Sequence, residues 1–513
     1  MPRLPSRAEA ERLAHAVIMP GFGGTTVPPW LERALAAGLG GVCYFGHNIA
    51  APEQVTRLSA RIHELGDAVI AIDEEGGIVS RLHAVEGSPH VGNAVLGRVD
   101  DVAVTRQVAA DIGQQLRHAG VDVDLAPVVD VNANPRNPVI GVRSFGAEPG
   151  LVARHGAAFV EALQATGVAA CPKHFPGHGD TDVDSHSGLP VVSLDLPRLR
   201  QRELVPFAAA VRAGAHCVMT AHIVFPALDD APATLSAPIL SLLRDDLGFD
   251  GVICSDALDM QAISGTIGLG EGAVRALAAG VDLLGLGNPV LGKPEGRHDE
   301  EEFLTALRAV ATALEKGRLP LSRVEEAAAR VRALAGWART ERSRPAPEDG
   351  TGDLAARSVR IATRALRVRG EVAGTLRGPV RILDIRRQRN IASGRLSGLV
   401  AGALLSRLPG SSVEAAFTSA TAEGRLTGAD HGATATGADP GGTDVVITGT
   451  PGRDESEDAL LRSVLDRRPE TLVVCVGWSP DPGDVPGARR AVFSFGDSRP
   501  SAEAVAELLT RQP

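Results

Sequence analysis

Between residues 14 and 287, eight short apolar, β-branched runs recur: "HAVIMPGF", "GVCYFG", "AVIAIDEEGG", "VDVDLAPVVDVN", "VAACPKHFPG", "CVMTAHIVF", "GVICSDALDM" and "VDLLGLGN". Helical patterns such as "WLERALAAG", "PEQVTRLSARIHELG" and "LVARHGAAFVEALQATG" lie between several of them. Continuous apolar runs are what parallel strands need when both faces of the sheet are covered. Eight β/α units in about 250 residues predict a (β/α)8 TIM-type barrel. An open doubly wound sheet would use the same alternation, but no phosphate-binding GxGxxG follows the first run.

Polar residues are placed unevenly along these runs. Asp73, Asp130, Lys173 with His174, His222 and Asp256 each fall at the C-terminal end of a predicted strand. In a barrel those ends converge on one face, where catalytic groups sit. Any one of them alone could simply cap the following helix.

At 513 residues the chain exceeds one core of ordinary size. The barrel is expected over residues 1–340. The Pro-, Gly- and charge-rich stretch at 341–354 reads as a linker, and 355–513 as a smaller α/β domain. Its strand-like runs are "VRILDI", "DVVITGT", "TLVVCVGW" and "RAVFSFG", while 409–443 reads as a loose Gly/Ala/Thr-rich excursion. This domain carries no catalytic cluster, so a scaffold role is expected.

A net charge of −10 argues against nucleic acid as the main partner. The five cysteines are isolated in apolar runs, which fits reduced, buried thiols and no CxxC zinc pair. The N-terminus has no secretory h-region and no run approaches the ~18 apolar residues of a membrane span. The expectations are therefore a cytoplasmic protein without membrane contact.

The densest chemistry lies at residues 171–190, "CPKHFPGHGDTDVDSHSGLP". A calcium loop would need Gly at its sixth position and Glu at its twelfth, where Ser185 and Val191 stand. Zinc would need three or four converging ligands. His174 and His178 are separated by Pro176 and Gly177, so no helix presents both. The remaining reading is acid/base work by Asp184 and His186, where a carboxylate beside an imidazole fixes its tautomer and stabilises its charged form. The same spacing also suits a purely structural turn bond. No G-x-S-x-G elbow offers a serine nucleophile, whereas Asp256 is a lone carboxylate ending an apolar strand. A carboxylate nucleophile with a separate proton donor is the retaining glycosidase scheme.

"KHFPGHGDTDVDSHSGLP" resembles the signature of β-N-acetylglucosaminidases of glycoside hydrolase family 3. So, in order, do "IMPGFGG", "AIDEEGGIVSRL", "DLAPVVDVNANPRNPVIGVRSFG" and "GVICSDALDM". The resemblance spans about residues 10–340. It implies removal of β-linked N-acetylglucosamine from non-reducing ends with retention, on peptidoglycan fragments or chitooligosaccharides, with no cofactor and no metal. It assigns Asp256 as nucleophile, His186 as acid/base and Asp184 as its orienting partner. Asp73, Arg81, Arg143, Lys173 and His174 match sugar-binding positions. Ile78 and Val142 depart from the usual pattern without removing a proposed chemical group. Family 3 β-glucosidases generally take a Glu acid/base from the second domain. The dyad here sits in the barrel, so the second domain is expected to be non-catalytic; the resemblance also implies a monomer, as the family often is one. A phosphorylase that uses phosphate in place of water, and an inactive sugar-binding relative, are the alternatives.

Overall fold

The computed structural model describes residues 3–183, 188–289, 299–345, 353–387, 398–417, 442–479 and 485–511. Each of the eight apolar runs supplies one strand: β1 (Ile18–Met19), β2 (Gly41–Tyr44), β3 (Val69–Ile72), β4 (Val123–Asp124), β5 (Ala169–Ala170), β6 (Cys217–Met219), β7 (Val252–Cys254) and β8 (Leu284–Gly285). Parallel ladders join β2 to β5 in sequence, β6 to β7, and β8 to β1. Single parallel bridges, Phe175 with Thr220 and Cys254 with Leu283, connect β5 to β6 and β7 to β8. The Cys43 amide donates to the Pro20 carbonyl at 3.0 Å and brings β2 beside β1. The ring is thereby closed and leaves no unpaired edge.

Side chains alternate across this ring with period two. Val42, Ile70, Ile72, Val218 and Ile253 belong to the large outer cluster that also holds the helices. Met19, Cys43, Val69, Ala71, Val123, Ala169, Cys171, Cys217, Met219, Val252 and Cys254 form a separate cluster inside the barrel. Val331 and Leu334 of the helix Leu321–Ser343 join the inner cluster and plug the ring's N-terminal end. Nearby, Trp337 packs on His216 with ring centroids 4.1 Å apart. The outer helices bury one stripe each. Pro52–Leu65, which starts on a preorganising proline, buries Val55, Leu58, Ser59 and Ile62 at helical spacing. All five cysteines are free and buried, as the sequence leads one to expect.

The barrel bottom is fastened by two buried aspartates. Asp122, just before β4, accepts the Ile70 amide at 2.9 Å and pairs with Arg342. Asp282, just before β8, accepts the Ile253 amide at 3.0 Å and binds Arg244 at 2.7 Å, Arg323, and Arg330 at 3.3 Å. These charges sit at the face where barrels invest in stability, not chemistry.

The helix Leu321–Ser343 runs into the span expected as linker, because its apolar stripe continues as far as Ala338 and carries the last turn with it. A second helix, Leu354–Ala365, opens the next domain. There β9 (Arg367–Arg369), β10 (Arg381–Asp384), β11 (Ser412–Ala415), β12 (Val445–Thr448), β13 (Leu472–Cys475) and β14 (Arg490–Phe493) form one sheet in the order β9-β14-β13-β12-β10-β11. β9 is antiparallel and the others are parallel. β11 corrects the reading of 409–443 as a loose excursion: its first part pairs with β10, although its exposed side chains leave no hydrophobic trace. Residues 418–441 lie outside the described residues.

One face of this sheet has its own core, with Ile382, Val445, Ile447, Val474 and Val492. The other face, with Leu383, Val446, Val473 and Phe493, is continuous with the barrel's outer cluster. Arg357 pairs with Asp111, Arg364 with Asp101 at 3.3 Å, and Arg98 lies 4.9 Å from the Phe495 ring centroid. No described helix is long and apolar enough to cross a membrane.

Asp282→Ala should lower unfolding free energy by about 3–5 kcal/mol, because three arginines lose their shared buried counterion. Denaturant titration would check this, and the folded fraction should keep its KM.

Candidate active site

The inward-facing series of three strands each end on a charged residue. Val69 and Ala71 are followed by Asp73, Ala169 and Cys171 by Lys173, and Val252 and Cys254 by Asp256. The two-residue period thus delivers apolar side chains to the barrel's interior and charged ones to its mouth. Asp256 is partly exposed, and its Oδ1 accepts the Ala257 amide at 2.8 Å. His222 Nε2 lies 3.0 Å from the Ala257 carbonyl and steadies the turn that presents Asp256.

Asp73, Lys173, Arg81 and Arg143 come together as expected. Lys173 Nζ bonds Asp73 Oδ1 at 2.5 Å and Glu75 Oε1 at 2.8 Å. Arg143 holds Glu75 with two parallel bonds, Nε to Oε2 at 2.9 Å and Nη2 to Oε1 at 2.7 Å. Arg81 Nη2 stands 3.5 Å from Asp73 Oδ2. Burial pushes the Glu75 carboxyl up, but Arg143 and Lys173 outweigh it and hold the group well below the usual carboxylate range. Burial likewise favours neutral Lys173, yet Asp73 and Glu75 together raise its pKa, so the ammonium stays charged. Asp73 is lowered in the same way, burial being outweighed by Lys173 and Arg81.

Glu75 was not among the residues singled out from sequence. Its signal was present in "IDEEGG": it lies two positions after Asp73, on the same side of an extended backbone. Glu74, between them, faces the other way. Its Oε2 accepts the Arg81 and Leu82 amides at 2.9 and 3.0 Å, which aims the Arg81 side chain back toward Asp73.

His174 takes its orientation from Asp130, a strand-end residue that sequence alone gave no role. Asp130 Oδ2 accepts from His174 Nδ1 at 2.8 Å, while Oδ1 accepts the amides of His174 at 3.1 Å and His178 at 2.7 Å. Burial raises the Asp130 pKa, but His174 beside it brings the net shift downward. With Nδ1 committed to Asp130, Nε2 is the ring atom that His174 could offer to a ligand. Asp180 and Asp182, two of the carboxylates that suggested calcium, are bound to Arg202 and to Asn134. Asp184 and His186 lie outside the described residues. The stretch leading to them is well fixed: Asn137 donates to the His178 carbonyl at 2.9 Å, and Asn134 donates to the Thr181 carbonyl at 3.1 Å.

The arrangement is a partly exposed carboxylate at the same barrel mouth as a row of internally balanced donors and acceptors. Such a row can bind hydroxyl groups, since carboxylates accept while ammonium and guanidinium donate.

Comparison with known proteins agrees with this geometry. The glycosyl hydrolase family 3 N-terminal domain matches residues 31–334. Beta-hexosaminidase A of Pseudoalteromonas piscicida is 37% identical over 336 residues, 60% of this chain and 55% of that protein. The chain therefore spans about half the length of that relative. A beta-hexosaminidase of Nitrosomonas eutropha is 34% identical over 59% of this chain and 87% of its own. In structure, a glycoside hydrolase family 3 beta-N-acetylglucosaminidase from Paenibacillus sp. FPU-7 superposes with a TM-score of 0.82 at 30% identity, covering 98% of this chain and 96% of that one. With the barrel, its charged mouth and these likenesses in hand, the chain belongs to glycoside hydrolase family 3.

Proposed function

We propose that this protein is a retaining exo-β-N-acetylglucosaminidase working through a covalent glycosyl-enzyme ester on Asp256. The observation that carries the reading is the partly exposed Asp256 at the end of β7, on the same barrel face as Asp73, Arg81 and Lys173. Asp256 attacks the anomeric carbon as His186 protonates the departing glycosidic oxygen. His186 then takes a proton from the water that cleaves the ester. Asp184 orients the imidazole and stabilises its charged form.

Asp73, Arg81, Lys173 and His174 bind the sugar hydroxyls. Arg143 stands with them in the sugar-binding set and also holds Glu75 through two parallel bonds. The expected substrates are N-acetylglucosamine linked to muramic acid in cell-wall fragments, or chitooligosaccharides, in the cytoplasm. The second domain contributes no catalytic group.

Incubation with GlcNAc–MurNAc and with chitobiose, each with and without phosphate, tests the reading. Free N-acetylglucosamine in both conditions supports hydrolysis, whereas a sugar phosphate would convert the assignment to phosphorolysis. Asp256→Ala should abolish turnover while the circular dichroism spectrum is retained; measurable activity in that variant would reassign the nucleophile. His186→Ala should lower kcat/KM for substrates with poor leaving groups by about 10²–10⁴-fold, and for aryl glycosides with activated leaving groups far less. Equal losses on the two would remove its proton-donor role. Glu75→Ala strands Lys173 and Arg143 without their shared counterion. It should cost about 3–5 kcal/mol of stability and raise KM, as thermal unfolding and steady-state kinetics would report.

A further inference from the structure

Glu203 is a buried carboxylate with no role in the scheme above. It sits at the junction of the helices Leu196–Gln201 and Leu204–Arg212 and is 1% exposed. Its Oε1 accepts from Arg202 Nε at 2.6 Å, and its Oε2 has no hydrogen-bond partner among the described residues. Arg202 uses a second nitrogen, Nη2, to reach Asp180 Oδ2 at 2.5 Å. One planar guanidinium therefore ties the helix junction to the segment that runs from His174 toward Asp184.

The Glu203 side chain is also the floor of that segment. A Cβ built on Gly177 would fall 2.6 Å from Glu203 Oε2 and 2.9 Å from its Cβ, and Gly177 has φ +139°. Only glycine meets both conditions, so backbone and carboxyl lie in direct contact. The opposite side of the segment is held from the loop after β4. Asp130 takes the His178 amide, a Cβ on Gly179 would collide with the Val131 carbonyl, and Asn134 binds Asp182 at 2.6 Å. Burial pushes the Glu203 carboxyl up to about 7 against the pull of Arg202, with Asp130 and Asp180 adding to the push. A group left in so unfavourable a position, unless it serves the segment above, is a net cost to the fold.

We propose that Glu203 and Arg202 are positioning residues for the acid/base loop, fixing residues 177–182 through Gly177 and Asp180 while Asp130 and Asn134 fix them from the strand side. The inference rests on reading Asp184 and His186 as the proton-donating pair. A proton donor must meet the leaving oxygen within hydrogen-bond reach, and misplacement by about 1 Å costs on the order of 10²-fold. Among the described residues before Asp184, Asp182 is the last one tied down by a side-chain bond, and it stands two positions from Asp184 in sequence, a distance the chain spans with at most about 7 Å.

The test uses the full chain with Glu203→Gln, Arg202→Met, Arg202→Lys and Asp180→Asn, and His186→Ala beside them. With chitobiose, kcat/KM should fall by about 10- to 100-fold in Arg202→Met. With an aryl N-acetylglucosaminide bearing an activated leaving group, the loss in kcat/KM should stay within about 3-fold, because that departure needs little protonation. Arg202→Lys should not restore kcat/KM on chitobiose, since an ammonium cannot span Glu203 and Asp180 as the planar fork does. Combining Asp180→Asn with Arg202→Met should lose no more than either alone. Equal losses on both substrates, or none on either, overturn the proposal while leaving the catalytic scheme intact. If His186→Ala itself shows no leaving-group dependence, the scheme and the proposal fall together. Should Arg202→Met not fold, Glu203→Gln and Asp180→Asn, which keep the shape of the site, carry the same comparison.

Discussion

The two-residue period of a barrel strand governs this molecule. Each strand sends alternate side chains into the ring, and the room there is small. The lower positions are filled by Ala, Cys, Val, Met and Leu, which pack without polar atoms needing partners. The next inward step on three strands emerges from the packed interior and carries Asp73, Lys173 or Asp256. A one-residue slip in any of these strands would bury a charge against the helices and expose an apolar residue at the mouth. The hydrophobic interior and the chemical face are thus specified by one and the same register.

Charges set at the rim of so apolar an interior have to balance one another. Glu75 does most of this work, since it faces Lys173 and Arg143 at once, both almost wholly buried. Removing water from the three groups is costly individually, and their mutual attraction offsets that cost only because the geometry is close and bidentate. For the sugar binding proposed above, the consequence is preorganisation: Lys173 and Asp73 are held by neighbours in advance, so little ordering would remain to be done on binding. Asp130 plays the same part for His174, through its ring and its backbone amide, and Glu74 for Arg81, through the backbone amides of Arg81 and Leu82.

Much of this could be read from the sequence because it depends on local pattern. All eight barrel strands coincide with apolar runs, and Asp73, Lys173 and Asp256 stand at their ends as expected. What escaped depends on residues brought together from far apart. Glu75 looked like one more acidic residue until Arg143 and Lys173 folded onto it from distant loops. Asp130 was visible as a strand-end residue, but its three bonds to the His174–His178 turn form only across the β4–β5 boundary. β11 was missed for a different reason: an exposed edge strand needs no hydrophobic alternation, so "SVEA" gave no signal.

The second domain illustrates how a composition-based boundary can mislead about independence. A Pro- and Gly-rich stretch separates the two units in sequence, yet one face of the second domain's sheet is continuous with the barrel's outer apolar cluster. The contact reaches the site: a Cβ on Gly141 would lie 3.8 Å from Trp478 Cβ, and Gly141 is two residues before Arg143. Asn93, on the helix that the second domain covers, donates to the Arg143 carbonyl at 2.8 Å. Even under the proposal that it supplies no catalytic group, the second domain can therefore set the position of the arginine that balances Glu75. Its influence on the barrel mouth would pass through packing of Trp478 and of the Asn93 helix, which is why a chemical inventory of its residues gives no sign of it.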